Sequence, residues 1–399
     1  MARQPIFDRR MDLFGYELLF RQGINGAFAN ISGDSATSTV LTNSFLMIGM
    51  TTITNSKRAF VNFTRNLLLA DIATTFPRDQ IVVELLEDIE PDVHTIHACR
   101  RLKEAGYLVA LDDFAYQPTF DPLLDLVDIV KVDFLATSKL ERAQIVSRLR
   151  SKHVRFLAEK VETQDDFDMA MSLGYSYIQG FFFSKPDVVQ GRDIPAFKLN
   201  YLRALQEINQ PDIDIDQLEQ IIRLDTSLSF KLLRLINSAF FGLRHNVKSI
   251  RHALVLLGND ELRKWGSLLA LTGIGDDKPN ELAVLSAVRA HFCEKVAEEV
   301  GMHAEHTDIY LMGLFSLVDA FMDVPMARIL EELPIAEDAK SALLGKPSRY
   351  GNIFRLVLAY EEADWNQFDV IASRLGLPDN KGPLLYRQAL RAADDIFRR

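Results

Sequence analysis

Short apolar runs alternate with segments of helical periodicity up to about residue 186 of the chain. The runs are rich in Val, Ile, Phe and Tyr and mostly lack polar alternation, as is typical of strands covered on both faces. They read LFGYELLFR, AFVNFT, IVVELLE, YLVALDDF, DIVKVDF, VRFLAEKVE and YSYIQGFFF. Helix-like segments lie between them, such as PDVHTIHACRRLKEAG, with Pro91 at its start and Gly106 at its end. These β-α repeats predict a parallel sheet, either open or closed into a barrel.

A polar residue stands at or near the C-terminal end of each apolar run. These residues are Glu17, Asn62, Glu84, Asp112, Asp113, Lys131, Glu159 and Gln179. In a (β/α) barrel the strand ends meet on one face, where active sites lie. An open doubly wound sheet would usually carry a glycine-rich phosphate loop, and neither GxGxxG nor GxxxxGKS/T occurs in the sequence. The pattern therefore predicts an α/β fold, a TIM-like (β/α) barrel over residues 1–190.

Helical spacing replaces the strand pattern from about residue 196 onward. FKLLRLINSAFF, SIRHALVLLG and AVRAHFCEKVAEEVG have apolar residues at three- and four-residue steps, which indicates amphipathic helices. The segment KPDVVQGRDIPAFK, which carries Pro186, Gly191 and Pro195, is expected to be a hinge. We therefore expect an all-α domain over residues 196–399 after the barrel.

The composition is ordinary for a soluble globular protein, with 48% hydrophobic and 25% charged residues. A net charge of −10 argues against a general binder of nucleic acid or membrane surfaces. The N-terminus lacks the apolar core of a signal peptide, and no apolar run reaches the length of a membrane span. Cys99 and Cys293 lie far apart and suggest neither a disulfide framework nor a zinc cluster. We expect a cytoplasmic protein.

The strand-end residues form an oxygen-rich set of carboxylates and amides with one lysine, Lys131. Taken singly, an acidic residue at a strand end is more often a helix cap or an ion-pair partner. A lysine inside the apolar run DIVKVDF is costly to bury unless carboxylates neutralise it. Together, the oxygen donors suit Mg²⁺ or Mn²⁺, and a carboxylate-lined two-metal site serves above all to activate water against a phosphoester. The adjacent Asp112 and Asp113 need not repel each other if two metal ions share them.

In this half the residues resemble the EAL domain, a family that hydrolyses the bacterial messenger cyclic di-GMP. QPIFD resembles the opening strand of that family, and YELLFR stands at the motif that gives the family its name. VNFT, VELLE, LDDF, VKVD, AEKVE and QGFFFSKP then follow in the order of the family's motifs. The resemblance implies a metal-dependent phosphodiesterase that opens cyclic di-GMP to linear pGpG by in-line displacement at phosphorus.

The resemblance also implies a role for each matching residue. The implied metal ligands are Glu17, Asn62, Glu84, Asp112 and Asp113. The implied catalytic residues are Lys131, which would hold or deprotonate the attacking water, Glu159 in the second metal site, and Glu87, which would steady the loop after Asp113. The implied substrate-binding residues are Gln4, Arg21, Gln179 and Lys185.

Three stretches depart from the EAL pattern. After ELLFR the usual tryptophan and His-Pro are replaced by QGINGAFANISGDSATSTVL, and after DDF the usual G-T-G-Y-S-S loop is replaced by AYQPTFDPLL. Lys160 in AEKVE stands where the family usually has glycine. Two hypotheses therefore stay open: an active phosphodiesterase, or an inactive scaffold that binds a partner protein or cyclic di-GMP without turnover.

The helical half resembles the HDOD domain, an output module related to HD phosphohydrolases. LLRLINSAFFG and SIRHALVLLG carry this resemblance. An HD hydrolase needs an adjacent His-Asp pair to bind metal, and none of the eight histidines is followed by Asp. The corresponding position has Ser316 and Leu317 instead. We therefore expect a non-enzymatic module that regulates the barrel or binds an unidentified protein partner; whether the chain forms a homodimer is left open.

Overall fold

A computed structural model describes residues 1–19, 53–86, 89–114, 116–181, 183, 196–237, 247–378 and 380–397. The chain divides into two compact units near residue 182, the first running from residue 1 to 182 and the second covering nearly all of the rest. The predicted hinge lies mostly outside the described residues.

Within the described residues of the first unit, eight strands form a closed barrel in chain order. The strands are β1 Ala2–Asp8, β2 Leu13–Leu19, β3 Arg58–Phe63, β4 Ile81–Leu85, β5 Leu108–Leu111, β6 Ile129–Asp133, β7 Arg155–Glu159 and β8 Tyr177–Gln179. The helices of this unit are α1 Arg65–Leu69, α2 Val93–Glu104, α3 Asp121–Leu124, α4 Lys139–Leu149 and α5 Gln164–Leu173. The prediction of a (β/α) barrel is confirmed.

The first strand differs from the prediction of a parallel sheet. β1 pairs antiparallel with both β2 and β8, whereas the neighbours from β2 to β8 pair in parallel. A parallel connection needs a crossover of a dozen or more residues, but only a short turn separates β1 from β2. In that turn Met11 has a positive φ of 64°, and Asp8 Oδ1 accepts from the backbone N–H of Arg10 and Asp12. The short turn therefore dictates the reversed strand.

Capping residues mark where the helices of the barrel begin and end. Asp92, one residue after Pro91, caps α2 by accepting from the Thr95 N–H at 2.8 Å. Gly106, which follows α2, has the φ of 87° that glycine adopts without strain. Ser138 and Glu141 form a reciprocal capping box at the start of α4. These capping interactions fix the ends of the barrel helices.

An apolar layer fills the interior of the barrel. Every strand except β2 contributes one buried residue to this layer, and Phe14 of β2 packs against it. The layer consists of Ile6, Phe60, Val82, Ala110, Ile129, Leu157 and Tyr177. Because side chains two residues apart on a strand point to the same face, the next interior position on each strand lies over this layer. The apolar layer thus closes the barrel beneath the strand ends.

The described part of the second unit is helical. Its helices are α6 Ala196–Ile208, α7 Ile215–Arg223, α8 Thr226–Ile236, α9 Ile250–Glu261, α10 Ser267–Ile274, α11 Asn280–Glu299, α12 His306–Phe315, α13 Val318–Met322, α14 Met326–Glu332, α15 Glu337–Leu343, α16 Gly351–Glu361, α17 Trp365–Leu375 and α18 Lys381–Phe397, with a π-helical turn at Leu262–Gly266. The long α11 is buried along most of its length and packs against α12 and α18. None of the helices in the described residues has both the length and the apolar character to cross a membrane. The all-α prediction is confirmed.

The crossing of α11 and α12 depends on a glycine. A Cβ added to Gly313 of α12 would lie 2.7 Å from both Ala290 Cα and Arg289 O of α11. Such contacts are far inside van der Waals distance and involve backbone atoms, which cannot rotate away. The two helices can therefore approach this closely only because residue 313 has no side chain.

We predict that Gly313→Ala lowers the free energy of unfolding by about 1–3 kcal/mol, the usual range for overpacking. Gly351→Ala is the matched control, because the nearest atom to its added Cβ is Ser348 Oγ at 3.9 Å. The control should stay within about 1 kcal/mol of wild type. Urea unfolding followed by circular dichroism measures both variants, and equal stability of the two would contradict this account of the helix crossing.

Candidate metal centre

A polar layer lies over the apolar layer at the C-terminal ends of the parallel strands. Its members are Gln4, Glu17, Asn62, Glu84, Asp112, Lys131, Glu159 and Gln179. Most of these residues follow a member of the apolar layer by two positions, so they share its inward face. Gln4 precedes Ile6 by two positions on the antiparallel β1 and pairs in register with Glu17, so the reversed strand still reaches the same end. The structure therefore brings the predicted strand-end residues to one face.

Lys131 lies among four carboxylates of the described residues, and its side chain is fully buried. The distances from its Nζ are 3.5 Å to Glu17 Oε1, 2.8 Å to Glu84 Oε1, 2.7 Å to Asp112 Oδ1 and 2.8 Å to Glu159 Oε1. These are ion-pair contacts with poor hydrogen-bond angles. The sequence indicated that burying this lysine is costly, and carboxylates from other strands offset that cost.

Burial and charge together shift the protonation of this cluster. Burial lowers the pKa of Lys131, but the surrounding carboxylates, led by Glu159 and Glu17, outweigh it and raise that pKa well above its usual value. Burial raises the pKa of Glu84 well above its usual range in spite of Lys131. Burial also raises the pKa of Glu159 to about 8, again against the attraction of Lys131. One ammonium therefore does not compensate the buried carboxylates, and the site favours additional positive charge.

Gln179 joins the first and last strands of the barrel within the polar layer. Its Nε2 donates to Gln4 Oε1 at 3.0 Å and to Glu17 Oε2 at 2.6 Å. Glu17 is thereby held between an amide donor on one side and the Lys131 ammonium on the other. The orientation of Glu17 is thus fixed by its neighbours.

Several buried oxygen atoms in the polar layer have no hydrogen-bond partner among the described residues. They are Asn62 Oδ1, Glu84 Oε2, Glu159 Oε2 and Gln179 Oε1. All four are acceptors, so the deficit is one of donors or cations. Carboxylate and amide oxygens are the ligands that hard divalent ions prefer. The residues present therefore fit a divalent metal ion.

The adjacent Asp112 and Asp113 differ in their partners and in their exposure to solvent. Asp112 contacts Lys131, and its backbone N–H donates to Leu85 O at 2.9 Å. Asp113 is exposed and has a left-handed backbone with φ of 40°. Burial and the charge of Asp112 raise the pKa of Asp113. The carboxylates of Asp112, Asp113 and Glu159, here called the rim cluster, have oxygen atoms within 4.8 Å of one another.

Asp133 is a charged residue beside the site that the strand-end pattern did not single out. It is the last residue of β6 and pairs in register with Glu159 of β7. Its Oδ1 accepts from the backbone N–H groups of Leu135 and Ala136, and its Oδ2 forms an ion pair with Lys160. The sequence carried one signal for Asp133: it lies two residues after Lys131, and residues two apart on a strand point to the same face.

Three predicted site residues, Arg21, Glu87 and Lys185, lie outside the described residues. Their predicted roles stay predictions.

A closed barrel that gathers one buried lysine, several carboxylates and three amides at its strand ends has the architecture of an EAL domain. Family models agree: the EAL domain matches residues 17–186 and the HDOD domain matches residues 194–333. The similarity extends to full-length relatives. The cyclic di-GMP phosphodiesterase CdgJ of Vibrio cholerae serotype O1 is 37% identical over 100% of this chain and 93% of its own length. The chain belongs to the family of proteins in which an EAL domain precedes an HDOD domain.

Other similar proteins share one or both halves. The uncharacterized protein YuxH of Bacillus subtilis is 35% identical over 94% of this chain and 93% of its own length. A standalone EAL protein from Vibrio cholerae O395, solved with c-di-GMP bound, is 24% identical and covers 46% of this chain and 90% of its own, with a TM-score of 0.36. Klebsiella pneumoniae BlrP1, solved as a manganese/cy-diGMP complex, is 20% identical and covers 45% of this chain and 53% of its own, with a TM-score of 0.37.

We predict that Glu84→Ala weakens the binding of Mn²⁺ because it removes a fully buried carboxylate from the polar layer. The loss should reach at least the 10- to 100-fold range, about what removing an outer-shell partner costs. Isothermal titration calorimetry measures the dissociation constant. Glu104→Ala removes an exposed carboxylate at the end of α2 and serves as the matched control. Equal Mn²⁺ affinity in the two variants would exclude Glu84 from a metal site.

Proposed function

We propose that the chain is a metal-dependent phosphodiesterase that hydrolyses cyclic di-GMP to linear pGpG. The observation that carries the proposal is the convergence of Lys131 and four carboxylates at the strand ends. The full-length similarity to a cyclic di-GMP phosphodiesterase supports the same substrate. Residues 1–190 would form the catalytic domain and residues 196–399 a separate regulatory domain.

The polar layer would hold two divalent ions, Mg²⁺ or Mn²⁺. Glu17, Asn62, Glu84 and Asp112 would hold the first, and Asp113 with Glu159 and Gln179 would complete the second. The unpartnered acceptors of Asn62, Glu84 and Glu159 support this assignment. Ions bound there would make water a stronger nucleophile and offset the charge that develops on the phosphate.

Lys131 would place the attacking water for displacement at phosphorus. Its carboxylate neighbours keep its pKa high, so the side chain is an ammonium with three donors and no acceptor. In that form it can orient water through N–H groups, and it would need to lose a proton before acting as a base. The charge state therefore favours the holding role over deprotonation.

Substrate contacts would come from the rim of the same face. Gln4 and Gln179 lie at the junction of β1, β2 and β8, where Gln179 Oε1 has no hydrogen-bond partner among the described residues. Arg21 and Lys185 would contribute cationic contacts to the phosphates, and Glu87 would steady the loop after Asp113. These last assignments rest on the family resemblance of the sequence motifs.

The helical domain would regulate the barrel or bind a protein partner, not hydrolyse a phosphoester. At the position of the missing His-Asp pair, Ser316 Oγ accepts from Arg289 Nη1 at 2.9 Å and donates to Gly313 O at 2.7 Å. A guanidinium with a buried side chain at this place disfavours a metal ion. We propose that the protein acts in the cytoplasm, with cyclic di-GMP as its ligand and with neither nucleic acid nor a membrane as a partner. The proposal does not require a homodimer.

An inactive scaffold that binds a partner protein or cyclic di-GMP without turnover is the second candidate function. The observation that favours it is Lys160, a cation that is paired with Asp133 beside the rim cluster. The replaced loop after Asp113 favours it as well, because that loop begins at the rim cluster. Turnover separates the two candidates directly.

We predict that the wild-type protein converts cyclic di-GMP to pGpG in the presence of Mn²⁺ or Mg²⁺, and that Lys131→Ala lowers kcat by about 100-fold or more. Binding of the substrate should change less, because the lysine acts on water. Chromatography of the products measures turnover. Lys152→Ala is the control and should keep wild-type activity, because Lys152 pairs with Asp125 and precedes β7, at the opposite end of that strand from Glu159.

Thermal melting of Lys131→Ala separates a lost catalytic group from a lost fold. A folded variant with wild-type kcat would contradict the role of Lys131. Wild-type protein that binds cyclic di-GMP but yields no pGpG with either metal would replace the enzyme by the scaffold.

We predict that the helical domain adds no hydrolysis of its own. The full-length double variant Glu84→Ala with Lys131→Ala should show no metal-dependent cleavage of cyclic di-GMP or of bis(4-nitrophenyl) phosphate. Absorbance of released nitrophenolate measures the second reaction. Cleavage that persists in the double variant and requires added metal would place a hydrolase site outside the barrel.

A further inference from the structure

Lys160 has a backbone conformation that its side chain disfavours. It follows Glu159 at the end of β7 and has φ of 52°, in the left-handed region. A residue with a Cβ rarely adopts this region, and glycine adopts it without strain. A lysine that is kept in such a conformation needs a compensating interaction, and residues of this kind concentrate at functional sites.

The compensating interaction is an ion pair with Asp133 on the neighbouring strand. Asp133 is 7% exposed, and its Oδ1 is fixed by the backbone N–H of Leu135 at 2.6 Å and of Ala136 at 2.9 Å. Its Oδ2 is therefore directed to Lys160 Nζ. The ammonium is anchored on a rigid carboxylate, although about half of the lysine side chain remains exposed.

The anchored ammonium acts on the rim cluster. Lys160 directly follows Glu159 in the chain, and its partner Asp133 pairs in register with Glu159 across β6 and β7. Glu159 belongs with Asp112 and Asp113 to the rim cluster, whose oxygen atoms lie within 4.8 Å of one another. The positive charge of Lys160 thus acts on the carboxylates that would hold the second ion.

We propose that Lys160 is a built-in cation that competes with the second divalent ion for the rim cluster, so that the protein holds one ion tightly and the second weakly. The inference rests on the proposed function, since it takes the polar layer to be a metal site. Lys160 would thereby control how many metal ions are bound: the second ion would occupy its site only at a higher metal concentration than the first.

A purely structural role of Lys160 would give different behaviour. If the lysine only bridged β6 and β7, its loss would lower stability without changing the affinity for metal. Charge and backbone strain can be separated by substitution, because Asn tolerates the left-handed region without a charge and Arg keeps the charge. Lys160→Gly removes both the charge and the strain.

The test is the Mn²⁺ binding isotherm of the full-length protein, followed by electron paramagnetic resonance of free Mn²⁺, without substrate. A nearby charge shifts the equilibrium of an ionisable group by about 1–3 pKa units, and the half-exposed position places Lys160 at the lower end. We therefore expect Lys160→Gly and Lys160→Asn to tighten the second, weaker binding step by about tenfold. Lys160→Arg should keep the wild-type isotherm, and the first step should stay unchanged throughout.

Identical two-ion isotherms in wild type, Lys160→Gly and Lys160→Asn would overturn the inference and leave the metal site intact. Tightening in Lys160→Gly but not in Lys160→Asn would also overturn it, since strain and not charge would then be responsible. A lack of Mn²⁺ binding in wild type and every variant would instead refute the proposed function on which the inference rests.

Discussion

The first unit depends on the compensation of one buried ammonium by carboxylates from neighbouring strands. Lys131 is fully buried at the centre of the barrel face, and it stays charged because Glu17, Glu84, Asp112 and Glu159 surround it. The same carboxylates could not be packed together without it, since like charges in a buried site repel strongly. Lysine and carboxylates therefore require each other, and their incomplete balance is what makes the site receptive to a metal ion.

The barrel provides this arrangement through a simple division of its interior. The apolar layer closes the barrel, and the polar layer lies two residues further along most strands. Strand periodicity thus turns a one-dimensional pattern, an apolar residue followed two positions later by a polar one, into a three-dimensional site. Burial raises the pKa values of Glu84 and Glu159. The carboxylates that converge on Lys131 keep it an ammonium.

Sequence reasoning identified the barrel, the helical half and the strand-end residues because each follows from periodicity or from the cost of burying a charge. It did not predict the reversal of β1, since a short turn such as Asp8–Asp12 is a weak signal beside the repeated β-α units. The sequence marks Lys160 as a departure from a motif. Its left-handed backbone and its partner Asp133 depend on the register between β6 and β7, which no local pattern specifies.

The central claim is that the polar layer is a metal site built around Lys131. Anomalous X-ray diffraction at the manganese edge, on crystals of the full-length protein grown with Mn²⁺, tests it most directly. The account predicts an anomalous peak within bonding distance of oxygen atoms of Glu17, Asn62, Glu84 and Asp112. Manganese peaks that lie only at surface carboxylates, and none at the carboxylates around Lys131, would contradict it.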